Sequence, residues 1–415
     1  MNKLKLLLCA GGVTMGLAYA SLAFADDQAT PATPPAAGAT PAATPASPPP
    51  PPTPPPYPSM GPTLSNNANS ASFDAGPLGK LYVNGDFSGL GYVQSNPGFD
   101  AASGRLNSTS GVDFSNALVT IQKDDGPVQF VVEAGGYSFP TLGASYLKAT
   151  EQTSNTFGVV PVGYVKIVPN SVVSFQVGQL PTLIGAELPF TYENANIERG
   201  LLWNTEPLFS RGVQVNFGSG PWAVSFSWND GFYSGEYTTA SGEVTYTFKN
   251  SDTIELAASG NTSKNFTSCK FNCAPFATNI LLNQGEVLNV IYSHTQGPWT
   301  ITPYFQYNDV PSSFFSPSGD IWAGAIIAKY SFNSEISVAG RVEYEQSNGL
   351  ANLLYGPGSS AWSLTLTPTY QKGIFYARIE ASYTGIGSGT FGDELGAFGN
   401  KTSQGRAMLE AGVMF

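Results

Sequence analysis

The feature that most constrains this chain is a repeat of alternating segments from residue 80 to the carboxyl terminus. Each segment has about ten residues in which apolar and polar side chains alternate, and turn residues separate the segments. Residues 222–228, which read Trp-Ala-Val-Ser-Phe-Ser-Trp, are a clear example. A period of two is typical of a β-strand with one apolar face. We count sixteen segments, which begin near residues 81, 112, 128, 159, 172, 211, 222, 242, 253, 286, 299, 321, 335, 362, 374 and 406.

The connections between these segments alternate in length. The short ones are 123–127, 169–170, 218–221, 249–252, 295–298, 332–334 and 371–373. The long ones are 94–110, 138–157, 180–209, 229–240, 261–284, 308–319, 346–360 and 385–404. Short turns on one side and long loops on the other are the layout of outer-membrane barrels. A soluble β-sandwich has no reason to keep this alternation, so the pattern predicts an all-β fold, a transmembrane antiparallel β-barrel.

A barrel of this size assigns an environment to each strand face. A sheet in lipid must leave no unpaired edge, so the strands close into a ring with apolar side chains toward lipid. Sixteen strands leave room for an aqueous channel. Charged strand residues are therefore expected on the water-filled side: Arg341, Glu343, Arg378 and Glu380. Fourteen or eighteen strands would also fit if one segment near 190–215 is split or merged.

Composition supports a membrane β protein and excludes several other classes. Only 11% of the 415 residues are charged, whereas an ordinary soluble domain has about a quarter. No run of about 18 apolar residues follows the amino terminus, which excludes spanning helices. A formal net charge of -11 argues against a nucleic-acid partner. The single His argues against most zinc or His-based catalytic centres, and we expect no metal and no cofactor.

An enzyme is the rival class, since some outer-membrane barrels use a Ser–His pair. Here His294 directly follows Ser293. Neighbouring strand residues point to opposite faces, so these two side chains cannot form a nucleophile–base contact. We therefore predict that the protein is not an enzyme.

The amino-terminal region predicts export. Residues 1–25 resemble a signal peptide, with Lys3 and Lys5 before an apolar stretch and a small-residue cleavage site at 23–25. Residues 26–72 are rich in Pro and Ala and predict a disordered periplasmic linker, although a stalk or a ligand for an aromatic groove stays open. The barrel is then expected over residues 73–415.

Cysteine usage fits the same compartment. Removal of the signal peptide leaves two cysteines, Cys269 and Cys273, in one long connection. We expect them to form a small loop disulfide in an oxidising compartment. Two sulfurs without a neighbouring His cannot complete a tetrahedral metal site.

The third long connection, 180–209, contains the charges most suited to a pore. Its acidic and basic residues, with one arginine just beyond, are Glu187, Glu193, Glu198, Arg199, Glu206 and Arg211. Opposed carboxylates and guanidinium groups at a constriction would select solutes by size and charge. The residues predicted for this constriction are Glu187, Glu193, Glu198, Arg199 and Arg211. By fold analogy this loop would enter the lumen. A solvated external loop is the alternative, and both interpretations stay open, although the internal apolar pieces favour a packed loop.

The last segment predicts an assembly signal. Leu409, Val413 and the terminal Phe415 share one face of residues 406–415. An amphipathic last strand that ends in Phe resembles the signal of proteins handled by the barrel insertion machinery. Trp222 and Trp299, each directly after a Gly-Pro turn, are expected in an aromatic girdle at the inner interface.

The region around the third connection also resembles a known family. Residues 178–187 read GQLPTLIGAE and look like the GKLPTLIGAE motif of the β-barrel porin-2 (OmpL-like) family. Residues 199–202 and 209–213 are similar to its SRSLLF and THTGVR pieces. The resemblance covers roughly residues 80–415, is most specific between 175 and 235, and implies a channel without naming a solute.

These observations predict an outer-membrane porin that passes small hydrophilic solutes or ions, with a weak preference for cations. Expected partners are outer-membrane lipid, lipopolysaccharide, the insertion machinery and a homotrimer. The alternative is a barrel anchor whose Pro-rich arm tethers the outer membrane to peptidoglycan. An arm of about 40 residues at roughly 3.1 Å each could reach the cell-wall layer.

Overall fold

The computed structural model describes residues 64, 65, 67, 70–100, 105–263, 281–313 and 317–415. The expected signal peptide, most of the expected linker, and Cys269 and Cys273 lie outside the described residues. Within the described part of the chain, none of the helices combines the length and apolar character needed to span a membrane.

Sixteen antiparallel strands form one closed barrel. In chain order they are β1 (Lys80–Gln94), β2 (Ser110–Lys123), β3 (Val128–Tyr137), β4 (Val162–Ile167), β5 (Val173–Pro181), β6 (Phe209–Ser219), β7 (Trp222–Asn229), β8 (Thr239–Thr247), β9 (Thr253–Asn261), β10 (Glu286–Gln296), β11 (Trp299–Val310), β12 (Gly319–Ser331), β13 (Ile336–Gly349), β14 (Ser360–Lys372), β15 (Phe375–Ser388) and β16 (Ser403–Met414). Each strand pairs with its neighbours in sequence, and β16 closes the ring against β1 with Leu409 opposite Gly91. Closure leaves no free sheet edge in lipid.

The predicted strand pattern is confirmed. Every predicted strand start lies within three residues of the observed one, and short turns alternate with long loops around the barrel. One short strand, Ala71–Asp74, extends the sheet by pairing with the first residues of β1. Two further short strands, Phe99–Asp100 and Arg105–Leu106, pair within the first long loop.

The helical elements are few and short in the described residues. The α-helix α1 (Ala149–Asn155) lies in the second long loop. Three 3-10 turns cover Gly76–Leu78, Thr191–Glu193 and Leu202–Thr205. The last two belong to the third long loop, residues 182–208, called L3 below.

The two faces of the barrel differ in polarity, as the alternating pattern predicts. On β14, Leu364 and Leu366 face outward and are 53% and 54% exposed, whereas Thr365 between them faces the lumen and is 1% exposed. The other strands repeat this arrangement, with Val342, Tyr344 and Ile379 on the outer face. A continuous apolar outer surface of this kind matches the hydrocarbon of a bilayer.

One detail of the predicted environment is wrong. Arg341, Glu343, Arg378 and Glu380 do face the lumen, but all four are at most 5% exposed and are not in contact with bulk water. The alternation predicts whether each side chain points to lipid or to the lumen, but it does not predict what occupies the lumen. Here L3 covers these charges.

Aromatic side chains cluster on the outer face beside the short turns, as predicted for Trp222 and Trp299. The ring of Trp222 lies 4.7 Å from that of Tyr246, and Trp299 lies 4.7 Å from Tyr330. Gly220 and Gly297 close the two turns with φ of 59° and 56°. Only glycine adopts this left-handed conformation without a steric penalty, which explains the repeated Gly-Pro-Trp sequence.

The carboxyl-terminal residue completes the seam of the barrel. Backbone N–H of Gly85 donates to the carbonyl of Phe415 at 2.9 Å, and the N–H of Phe415 donates back at 3.0 Å. The rings of Phe415 and Phe87 are 5.2 Å apart on the outer face. The terminal Phe therefore lies in the closing strand pair between β16 and β1.

Candidate functional site

L3 lies inside the barrel and is held by the wall. All residues from 183 to 191 and from 194 to 203 are buried. Apolar contacts hold L3 at two places. Ile184 packs with Ala257 and Val287 of the wall, and the ring centroid of Trp203 lies 5.8 Å from that of Phe139. The predicted constriction loop is therefore a packed element of the lumen and not a solvated external loop.

Three lumen-facing arginines of the wall bind L3, and we call Arg341, Arg378 and Arg406 the arginine clamp. Arg341 on β13 forms ion pairs with Glu187 of L3 and with Glu343 of its own strand, the latter at 3.1 Å. It also donates to the backbone carbonyl of Glu198 at 2.9 Å. Arg341 thus joins two points of L3 to one strand of the wall.

Glu187 and Glu343 each accept a further hydrogen bond in this arrangement. Glu187 accepts a second hydrogen bond from the N–H of Gly200 at 2.8 Å. Glu343 accepts a hydrogen bond from Ser363 at 2.6 Å. Because a buried charge is tolerated only when it is paired and hydrogen-bonded, both carboxylates depend on the guanidinium of Arg341.

The second clamp residue, Arg406 on β16, pairs with Glu198 of L3. The same guanidinium donates to carbonyls of the second long loop, at 3.0 Å to Thr141 and 2.9 Å to Ala144. Glu380 on β15 accepts the backbone N–H groups of Ile197 and Glu198 at 2.5 Å and 2.8 Å. Charge-assisted hydrogen bonds of this kind are stronger than neutral ones.

The third clamp residue, Arg378 on β15, holds the middle of L3. Its Nε donates to Glu410 at 2.9 Å, and a terminal nitrogen donates to the carbonyl of Asn194 at 3.1 Å. Glu410 also accepts from the hydroxyl of Thr191 at 2.5 Å. The clamp therefore connects strands β13, β15 and β16 to L3 through alternating positive and negative groups.

The five residues predicted for the constriction separate into different environments. Glu187 and Glu198 are brought together at the clamp. Arg199 is 0% exposed and donates to carbonyls of its own loop, at 3.1 Å to both Leu188 and Pro189, and burial lowers its pKa to about 10. Arg211 lies elsewhere and pairs with Asp230 at 2.7 Å. Glu193 is partly exposed.

Arg211 is part of a second, smaller cluster outside L3. Its guanidinium lies 3.9 Å from the ring centroid of Tyr233, in a cation–π geometry, and also forms the ion pair with Asp230. The hydroxyl of Tyr233 donates to Gln179 at 3.0 Å. This cluster positions the fourth long loop on β5 and β6, and the structure does not bring it to the clamp.

Burial raises the pKa of three acidic side chains of L3, which are Glu187, Glu193 and Glu206. Burial and the neighbouring Glu133 carboxylate raise the pKa of Glu193 to about 8. Burial also raises the pKa of Glu206 well above its ordinary range, and the hydroxyl of Tyr304 hydrogen-bonds to that carboxyl group. On the same side as Glu193, the hydroxyl of Tyr192 donates to Glu133 at 3.0 Å.

We expect Glu193 to make the folded barrel less stable as the solution becomes alkaline. Because the folded pKa is raised, the protonated form stabilises the fold below the unfolded pKa, and this contribution is lost as pH rises through about 8. Glu193→Gln should reduce the loss of unfolding free energy between pH 5 and pH 9 by about 1–2 kcal/mol, since partial exposure screens the effect. Denaturant unfolding at both pH values measures it. Glu335→Gln in an exposed turn is the control, and equal pH slopes for wild type and Glu193→Gln would contradict the assignment.

The Ser–His arrangement considered in the sequence is divided between two environments. Ser293 accepts a hydrogen bond from Thr302 at 3.3 Å, whereas Nδ1 of His294 lies 2.9 Å from the carboxylate of Asp252 at a short turn. The two side chains therefore do not contact each other, as their adjacent positions on β10 predict.

Arg406, Glu410 and the role of Glu380 in holding L3 were not predicted from the sequence. A signal was present, since β13, β15 and β16 each carry an Arg and a Glu on the lumen-facing side: Arg341 with Glu343, Arg378 with Glu380, and Arg406 with Glu410. Inward Arg and Glu side chains on three of four consecutive strands, β13 to β16, indicate a charged partner inside the lumen.

Comparisons with known proteins agree with this geometry. The family described as beta-barrel porin-2, OmpL-like, matches residues 80–415. The chain belongs to this family. No curated protein matches the chain.

Solved structures resemble this porin-family barrel over most of its length. OmpT of Vibrio cholerae, expressed in the outer membrane, has 12% identity and a TM-score of 0.54, covering 84% of this chain and 100% of its own. An anion-selective porin from Comamonas acidovorans has 11% identity and a TM-score of 0.53, covering 81% and 99%. The outer-membrane channel DcaP of Acinetobacter baumannii has 10% identity and a TM-score of 0.52, covering 81% and 97%. Identities this low show a shared fold, and the family and fold together support an outer-membrane location.

Proposed function

We propose that the protein is a porin that lets small hydrophilic solutes or ions diffuse across the outer membrane. The observation that carries this proposal is a closed sixteen-strand barrel with a polar inner face, narrowed by L3. Channels of this type select solutes by pore size and by the charges that line the path. Membership of the porin family supports the same conclusion.

We infer that, of the five predicted constriction residues, Glu193 has the largest effect on the solutes that pass L3. The carboxylates of Glu187 and Glu198 are neutralised by Arg341 and Arg406, and Arg199 points into its own loop. Glu193 forms no ion pair among the described residues and is partly exposed in the lumen. A solute passing L3 would therefore meet the carboxyl group of Glu193, which is protonated below about pH 8 and charged above it.

The inner face supports a preference for cations. Several inward acidic side chains take part in none of the ion pairs found within the described ranges. Each is at most 8% exposed, so when ionised it would act on an ion in the lumen through its electric field and not by contact: Asp86, Glu133, Glu243, Glu255 and Glu345. Inward lysines are fewer, with Lys166 and Lys329 facing the lumen near the short turns. Rings of Asp and Glu favour cation passage in channels.

The proposal also covers how the barrel is inserted, how it assembles and on which side its termini lie. We infer that Leu409, Val413 and Phe415 form the recognition face for the insertion machinery, because Phe415 completes the closing strand pair. A trimer form is known for OmpT, an outer membrane protein of Vibrio cholerae with a similar fold. We propose a homotrimer in lipid with lipopolysaccharide for this chain. With sixteen strands both termini lie on the periplasmic side, so the linker would extend there. A disulfide between Cys269 and Cys273 and a tether to peptidoglycan stay predictions.

Swelling of liposomes that contain the refolded protein tests this function. Liposomes in isotonic sugars of increasing size should swell at rates that fall steeply with solute size, as expected for a narrowed pore. Liposomes with heat-denatured protein are the control. A folded barrel that admits not even the smallest sugar or amino acid would contradict the proposal.

A further inference from the structure

Leu64 precedes the first barrel strand in sequence, but its side chain is buried inside the barrel. Leu64 is 2% exposed and packs with Tyr376, Met414 and Tyr192. Tyr376 and Met414 face the lumen near the start of β15 and the end of β16, and Tyr192 belongs to L3. A side chain from the segment ahead of the barrel therefore occupies the lumen at the end that carries the short turns.

Polar contacts hold the same segment in place. The N–H of Ser65 donates to the side-chain oxygen of Gln371 at 2.7 Å, and the amide nitrogen of Gln371 donates to the carbonyl of Ser65 at 2.8 Å. The hydroxyl of Ser70 donates to Asn84, whose side chain faces the lumen from β1. Backbone and side chains are thus both fixed against the wall.

The barrel itself explains why the chain turns inward here. The short strand Ala71–Asp74 pairs with residues 80–83 of β1, and Phe415 pairs with Gly85 directly above it. Both strands use the same edge of β1, so the chain before Ala71 meets the end of β16 and leaves the sheet. The contact of Ser70 with Asn84 and the burial of Leu64 show that it leaves toward the lumen.

We propose that the side chain of Leu64 is a plug that partly closes the short-turn end of the channel beneath L3. Displacement of Leu64 from this position would widen the path. The inference rests on the proposed channel function and adds an intramolecular ligand to it. The pocket of Tyr192, Tyr376 and Met414 is apolar, which suits a leucine and not a charged side chain.

Single-channel recordings of the full mature protein in planar bilayers test the plug. Leu64→Asp should raise the unitary conductance or the open fraction at least about twofold, because a carboxylate cannot stay in the apolar pocket. Gln371→Ala, which removes both hydrogen bonds to Ser65, should change conductance in the same direction by a smaller factor. Leu64→Met should behave as wild type, and so should Leu78→Asp, a matched control at a leucine that is 53% exposed in the same amino-terminal hairpin.

The outcomes separate the plug from the channel. If wild type conducts and both Leu64→Asp and Gln371→Ala conduct equally well, the plug is overturned and the channel stands. If Leu78→Asp raises the conductance as much as Leu64→Asp does, the increase comes from a general perturbation of the amino-terminal segment, and the plug is also overturned. If wild type and all folded variants insert but stay silent, the proposed function fails and the plug fails with it. Heat-modifiable gel migration identifies the folded barrel in each sample.

Discussion

Replacement of Arg341 by Ala should lower the free energy of unfolding by about 3–5 kcal/mol, because it leaves buried carboxylates without their cation. Arg341 is 0% exposed at the side chain, and its partners Glu187 and Glu343 are 8% and 1% exposed. The variant also loses the hydrogen bond from Arg341 to the carbonyl of Glu198. L3 should therefore detach from β13, and the lumen should widen.

Denaturant unfolding in detergent and bilayer recordings measure the two effects of Arg341→Ala. The matched control is Lys372→Ala, since Lys372 forms an ion pair with Glu335 at 3.9 Å with side-chain exposures of 71% and 44%. An exposed pair of this kind contributes about 1 kcal/mol or less. If Arg341→Ala costs no more than Lys372→Ala and leaves the unitary conductance unchanged, the arginine clamp does not hold L3.

Replacement of Leu364 by Arg should destabilise the barrel in lipid by about 2–4 kcal/mol, the cost of a cationic side chain near the bilayer midplane. Leu364 lies in the middle of β14 with its side chain 53% exposed on the outer face. In a soluble protein, replacing an exposed leucine by Arg would leave the unfolding free energy nearly unchanged. In a membrane barrel the same exposure means contact with hydrocarbon.

A second exposed leucine provides the control for the lipid face. Leu350 is 73% exposed and lies directly after β13 in a long loop. Leu350→Arg should change the unfolding free energy by less than about 0.5 kcal/mol, as expected for a surface site in water. Unfolding of both variants from phospholipid vesicles gives the comparison. Equal costs at Leu364 and Leu350 would mean that the outer face of β14 does not contact lipid.

The strands could be predicted from the sequence because a period of two is a local property of each segment. Residues 222–228 alternate without interruption, and Gly220 closes the preceding turn with a positive φ. The lumen-facing direction of Arg341 and Glu380 followed from the same period. Their burial did not, because it depends on L3, which is distant in sequence.

The interior of the site could not be predicted from spacing. L3 has no regular period, so nothing in the sequence distinguishes Glu187, which meets Arg341, from Arg199, which turns back to its own loop carbonyls. Leu64 was placed in a linker because Pro and Ala dominate the preceding residues. Its contact with Tyr376 joins residues far apart in the chain, and only the closed barrel brings them together.

Single-channel conductance of the refolded wild-type protein, in a planar bilayer with a salt gradient, tests the proposed channel most directly. We expect stepwise openings and, above about pH 8, a reversal potential displaced toward the cation equilibrium potential, because the carboxyl group of Glu193 is then ionised. A folded barrel that inserts and remains electrically silent would contradict a diffusion channel. A reversal potential on the anion side above about pH 8 would contradict the placement of Glu193 in the conducting path.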